Sequence, residues 1–325
     1  GESYTVEEAI TIPEGKTLTV EDGKTLINSD GKITNNGTIY VELGGTYNGL
    51  ETSPKPVEYQ KEQILYLEYE NDGFTNKYIE EFTPISKDNR PTTWTTGWYV
   101  VDGTVEIDSR VTVTGDVKLI LKDGANLTVN GGIDVSGTSN SFTVYAQSTD
   151  ESKMGGLTAT AADGTGNAGI GSSGGQTAGA ITIHGGKVTA TGGSRSEQKE
   201  SVIPGEYEEI VYTGAGIGGG EKSACSMITI NGGIVTGNPG QGSDFGETSN
   251  SAAIGNGGQN RMDMWYDETP VGTIVINGGS VNATGVWWGA GIGGGDDMPI
   301  ASVTINGGIV NAEGDDSAGI GNGGA

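Results

Sequence analysis

"ITINGGIVTG", residues 228–237, decides the fold of this chain, because the chain writes it four times. The other copies are "ITIHGGKVTA" from Ile181, "IVINGGSVNA" from Ile274 and "VTINGGIVNA" from Val303. In an extended strand Ile228 and Ile230 fall on one face and Thr229 on the other, since successive side chains alternate. Gly232 and Gly233 then turn the chain, and Val235 points inward again. A third short piece, "GAGIG" around Ile217, supplies another side with glycines at its corners. The glycine-flanked isoleucines are Ile170, Ile217, Ile254, Ile292 and Ile320, spaced by 47, 37, 38 and 28 residues. The shortest spacing is the core unit, and the excess is insertion. Three short sides per turn, with insertions at the corners, predict an all-β fold: a right-handed parallel β-helix with three short strands per coil. One coil cannot bury its apolar face alone, whereas coils stacked about 4.8 Å apart bury a continuous column. The ten residues recur because each copy sits on the copy before it.

The residue that follows the "ITI" strand is His184, Asn231, Asn277 and Asn306 in the four copies. Stacked amides at such a turn are expected to hydrogen-bond along the axis. The single histidine therefore falls in an asparagine ladder, without the partners that a catalytic or metal-binding imidazole needs.

Composition narrows the function classes. Sixty glycines without a Gly-X-Y period, and only nine prolines, exclude collagen. Long helices are disfavoured, because glycine costs roughly 1 kcal/mol in a helix interior. Seventeen basic against 42 acidic residues give a net charge of −25. Nucleic acid is not an expected partner, since phosphate binding rests on Lys and Arg clusters. No apolar run of about 18 residues occurs, so no membrane insertion by a helix is expected. Cys225 is the one cysteine, which leaves no intrachain disulfide and no Cys-based zinc site.

Three regions are expected. Residues 1–50 read as a short-strand solenoid segment, from "GKTLTVED", "GKTLINSD" and "GKITNN" with Gly15, Gly23 and Gly31 at the turns. Residues 51–92 hold Pro54, Pro56 and Pro84 and read as a connector with an extended hairpin around "QILYLEYENDG". Residues 93–325 form the β-helix repeat domain, which stops in mid-repeat at Ala325. A piece of a longer protein is the expectation.

From "TTWTTGWYVVDGTVEIDSRVTVTGDVKLILKDGANLTVNGGIDV" onward, the chain resembles a module of secreted, surface-displayed repeat proteins of gut Firmicutes. Their pattern is a "TGWYVV" entry followed by runs of "GAGIGGG" and "ITINGGxVTATGG". The resemblance covers residues 93–325 and implies an extracellular, cell wall-associated protein, part of a longer surface protein. The chain is also similar to carbohydrate-binding β-helix proteins, which implies a poly- or oligosaccharide partner.

Variable loops fall at two corners of the coil, where a rigid scaffold concentrates function. Before the isoleucine side lie 194–212, 238–251, "VWW" at 286–288 and "DDS" at 315–317. After it lie "GGGEKSACS", the loop 257–272 with "RMDMWYDETP", and "GGGDDMPIAS". Stacking should set Asp244 and Phe245, Trp287 and Trp288, and Asp315 and Asp316 in one stripe across neighbouring coils. Exposed rings stack on sugar faces while carboxylates accept hydroxyl hydrogen bonds; the competing reading is rings that plug a gap beneath the loops. Trp265 and Tyr266 belong to the other corner and would wall the site only by folding over a strand.

No cofactor is required by this reading. Asp296, Asp297, Asp263 and Asp267 are candidate Ca²⁺ ligands, because Ca²⁺ takes roughly six to eight oxygens. No calcium-loop motif accompanies them, and solvated turn carboxylates are the competing account. "GGDD" at 294–297 resembles the paired-Asp element of polygalacturonases, but the histidine-glycine and arginine-lysine elements of that family are missing. No catalytic residue is assigned. The alternatives to a non-catalytic glycan-binding adhesion module are a purely structural stalk and a polysaccharide-degrading hydrolase or lyase.

Overall fold

A computed structural model describes residues 2–42, 44–58, 62–200, 205–241, 247–259 and 271–324. The regular elements among them are all β-strands. The chain forms two compact units, Gly1–Ile64 and Leu65–Ala325.

The larger unit is the right-handed parallel β-helix that the repeats require. On its first side the strands Ser141–Ala146, Ala180–Ile183, Met227–Ile230, Val271–Ile276 and Ile300–Ile305 pair in parallel. The register puts Val144, Ile183, Ile230, Ile276 and Ile305 in one column. The second side is a seven-stranded parallel sheet running from Thr104–Ile107 to Ile309–Glu313. Val188, Val235 and Val281 are stacked there and buried. The third side is built from two-residue strands, each an isoleucine and a glycine, from Ile170–Gly171 to Ile320–Gly321. The three inward columns meet in one apolar core.

The glycines of the third side have a steric cause. A Cβ on Gly171, Gly218, Gly255 or Gly293 would overlap the carbonyl oxygen of the glycine in the next coil. Their φ angles, 130° to 149°, also disfavour any other residue. "GIG" therefore recurs for packing reasons. In the first coils this side needs no corner insertion: Thr93–Val101 and Val111–Leu121 run continuously from the third side onto the first. Trp94 is fully buried at that end, stacked on Tyr99 at 5.4 Å and tilted against Phe142 at 6.0 Å.

The amide ladder forms as expected. Asn306 Nδ2 donates to Asn277 Oδ1 (2.8 Å), and Asn277 Nδ2 to Asn231 Oδ1 (2.7 Å). Asn231 Nδ2 lies 3.5 Å from His184 Nδ1, and the imidazole stacks on Tyr145 at 4.7 Å and 5°. The hairpin of Ile64–Glu70 and Gly73–Ile79 covers this end. Asn71 and Asp72 make its two-residue turn at φ 50° and 63°, the twist that a tight hairpin favours. Tyr66 packs on Trp98 (4.7 Å) and Tyr145 (4.9 Å), and the Tyr69 N–H donates to His184 Nδ1 (2.9 Å). Burial under this lid pushes the His184 pKa down to about 4, with Glu70 opposing weakly.

The smaller unit repeats the plan on a shorter period. Glu2–Thr5, Lys24–Asn28 and Thr46–Gly49 pair in parallel, as do Ile10–Ile12 with Ile33–Asn35 and Thr17–Val20 with Thr38–Val41. Ile12, Val20, Ile33, Ile39 and Val41 make its core.

Candidate functional site

The loop that carries the tryptophans follows strand Ser280–Thr284. Gly289 N–H donates to the Val286 carbonyl (3.1 Å), closing a turn in which Trp287 takes the left-handed region, φ 52°. An extended "WW" would have sent its two rings to opposite faces. The turn instead leaves both outside, Trp287 38% and Trp288 46% exposed, so neither is a core plug. Trp288 rests partly on the glycines of the following coil: a Cβ on Gly324 would meet its Cβ and ring atoms at 2.7 to 3.2 Å.

The next coil sets its own corner loop alongside. Asp316 N–H donates to the Trp287 carbonyl (3.0 Å) and Ser317 Oγ–H to the Gly289 carbonyl (2.8 Å). Asp315 and Asp316 are both exposed. The loop carrying the two exposed rings and the loop carrying the two exposed carboxylates thus lie side by side on successive coils. Asp244 and Phe245, which would extend the stripe, lie outside the described residues, as do Trp265, Tyr266, Asp263 and Asp267.

Asp296 and Asp297 are not the solvated turn carboxylates that the sequence suggests. They are only 4% and 8% exposed. Their loop is short, and backbone bonds pin it to its neighbours. Asp296 N–H donates to the Asn250 carbonyl (2.7 Å), and Gln259 N–H to the Asp296 carbonyl (2.9 Å). Asp297 takes φ 48° to make the turn. Among the described residues no group of three or more His, Cys, Asp and Glu side chains converges as a metal site.

Two polar arrangements escape a reading of the repeats. The corner insertion 194–213 is an antiparallel hairpin, Ser194–Glu200 with Tyr207–Thr213. Its fully buried Tyr212 ring has the Arg195 guanidinium at 4.7 Å, Lys222 Nζ at 4.2 Å and Lys199 Nζ at 5.6 Å. Arg195 also bridges Glu221 (2.7 Å) and Glu197 (3.0 Å), which holds the Glu197 carboxyl below its ordinary range. These contacts tie the insertion to the opposite corner of the coil, and nothing in the spacing of Arg195 and Glu221 announces them. Asn256 had a signal, the "IGNGG" shared with Asn322. Asn256 Oδ1 accepts the Cys225 N–H (3.0 Å) while Nδ2 donates to the Val271 (3.1 Å) and Pro299 (3.0 Å) carbonyls, stapling three coils.

A concave feature lies elsewhere on the larger unit, where the hairpin meets the glycine turns after the ladder. It encloses about 280 Å³ between Leu67 and Phe74 of the hairpin, Met154, His184, Ile234 and Ile309.

Comparison with known proteins agrees with the architecture. A family model described as a beta helix repeat matches residues 181–221, 274–296 and 303–324. The chain matches no curated protein and no solved structure. The larger unit is a β-helix repeat module, with its variable chemistry on the corner loops.

Proposed function

We propose that the chain is a non-catalytic glycan-binding module of an extracellular bacterial surface protein, serving adhesion. The observation that carries this reading is the pair of outward-turned rings, Trp287 and Trp288, beside the exposed carboxylates of Asp315 and Asp316. Rings supply the stacking surface for a sugar and carboxylates accept its hydroxyls. A single shallow site of this kind binds at about millimolar to high micromolar, roughly −4 to −6 kcal/mol. Adhesion then draws on several copies acting together.

The test is a glycan array followed by titration of the selected glycans against Trp287→Ala and Trp288→Ala. Binding lost in folded variants supports the reading; binding unchanged in both removes the stripe as the site. An array without any ligand favours the stalk alternative, for which the stapled coils are suited. Release of reducing ends or unsaturated products, abolished by substituting Asp296 and Asp297, would instead establish the hydrolase or lyase. The reading needs no cofactor. A structural Ca²⁺ at Asp296 and Asp297 is removed from consideration if the melting temperature is equal in millimolar Ca²⁺ and in chelator.

A further inference from the structure

In each repeat the ladder residue is followed by two glycines: 185–186, 232–233, 278–279 and 307–308. They stack beside the amides, and the coils themselves demand them. A Cβ on Gly232, Gly278 or Gly307 would lie 2.8, 2.8 or 2.7 Å from the carbonyl oxygen of His184, Asn231 or Asn277 in the preceding coil. The result is a trench with a bare backbone floor, running along the solenoid axis next to a line of side-chain amides. Its outer wall is formed by the first outward residues of the second side, Ile234, Ser280 and Ile309, which are in register.

One ring already sits in this trench. Phe74, from the hairpin, lies over the first open step, where a Cβ on Gly232 would come within 2.6 Å of its Cζ. Among the described lining residues Glu151 is the one charged side chain. The steps beyond Phe74 repeat the same floor, with Gly233, Gly279 and Gly308 at φ 84°, 86° and 92°. Their wall includes Ile309, 67% exposed.

We propose that this trench is a second binding site, taking an uncharged oligosaccharide laid along the axis, with successive rings over the glycine steps beyond Phe74. The inference rests on the glycan reading above for the class of ligand, but uses none of the same residues. Phe74 shows that a ring fits a glycine step. A pyranose pairs an apolar C–H face with a hydroxyl rim, and the trench pairs isoleucine and a phenyl edge with the amides of Asn277 and Asn306. The steps recur about every 4.8 Å, close to the advance of one residue in an extended β-linked sugar chain. A repeating site suits a repeating ligand. The net charge of −25 works against polyanionic chains; Lys187, in register with Ile234, stands before the covered step, and among the described residues the wall positions beyond it, Ile234, Ser280 and Ile309, carry no cation to offset that repulsion.

The experiment uses the full chain and cello-oligosaccharides of increasing length, with oligogalacturonates as the charged control, followed by NMR titration. Three proteins are compared with the parent: Ser280→Arg, which fills the trench; Ile309→Glu, at a position too exposed to disturb the core; and the Trp287→Ala/Trp288→Ala double variant. Affinity should rise with chain length and then level off. It should fall at least about tenfold in Ser280→Arg and Ile309→Glu, equivalent to about 1.4 kcal/mol. The double tryptophan variant should bind these probes as the parent does. The proposal is overturned if folded Ser280→Arg and Ile309→Glu bind as the parent does, if only oligogalacturonates bind, or if no cello-oligosaccharide binds. Loss confined to the tryptophan variant overturns the trench and leaves the corner stripe standing. Failure of the stripe with binding retained in the trench separates the two in the other direction.

Discussion

The two ends of the amide ladder share one column and differ in almost everything else. At one end His184 is buried between Tyr145 and the hairpin, and Ile183 beneath it is fully covered. At the other, Asn306 is exposed and Ile305 beside it is 42% exposed, although it occupies the same inward position as Ile183 and Ile230. The local sequences are nearly interchangeable. Within residues 1–325, what separates them is cover: a coil on each side and a hairpin above for Ile183, and the preceding coil for Ile305. In a solenoid the energy of a position is set by its neighbours along the axis more than by its own residue.

The sharpest way to break that comparison is to place one charge at both ends. Ile230→Asp buries an unpaired carboxylate in a fully covered coil and should cost several kcal/mol. Ile305→Asp, half open to water, should cost less than about half as much. Urea denaturation of both variants measures the difference, and equal costs would refute the account. Removing the lid comes next. Tyr66→Ala deletes a buried ring and should destabilise by about 3 kcal/mol. In the same variant the His184 pKa should climb from about 4 toward the ordinary imidazole range, read from its NMR titration.

Acid then tests the covered end alone. The His184 pKa is depressed on folding, so its neutral form is the one that the fold accepts. Its contribution is fully present above an unfolded pKa near 6.5 and is lost as pH falls from there toward about 4. The loss amounts to at most about 3 kcal/mol. His184→Asn, which continues the ladder with an amide, should remove this histidine's share of the pH dependence. An unchanged slope between pH 6.5 and 4 would mean that other groups dominate. The smallest effect is expected from the ladder amides. Asn231→Ala, buried, should cost about 1 to 2 kcal/mol and Asn306→Ala less than about 0.5.

Much of this fold was legible in the sequence, and the reason is periodicity. The inward isoleucines, the three sides and the ladder all follow from copies that must superpose, so an error in one copy would have shown against the others. The tryptophan corner was half legible: its neighbour in the next coil could be read from the alignment of Trp287 with Asp316, but the left-handed turn that exposes both rings could not. Non-repeating contacts were opaque. Nothing in "YLEYENDG" says that Tyr69 will cap a histidine 115 residues away. Likewise Asp296 and Asp297 sit in a loop whose backbone is tied to Asn250, Gln259 and Gly324 on neighbouring coils, and a view of the acids as loose turn residues misses their burial.

From Ile170 onward, the column of third-side glycines makes each coil join the next through the same pair of residues, and so turns this part of the solenoid into a chain of exchangeable links. A deletion of residues 255–292 would splice Ile254 directly to Gly293, restoring an uninterrupted "IG" and bringing the strand Met227–Ile230 beneath Ile300–Ile305. Recombination between such near-identical seams would lengthen or shorten the protein by whole coils without inventing a new core. Each added coil arrives with its own corner loops. A surface of this design diversifies by counting, with the scaffold unchanged and the number and order of its decorations open to selection.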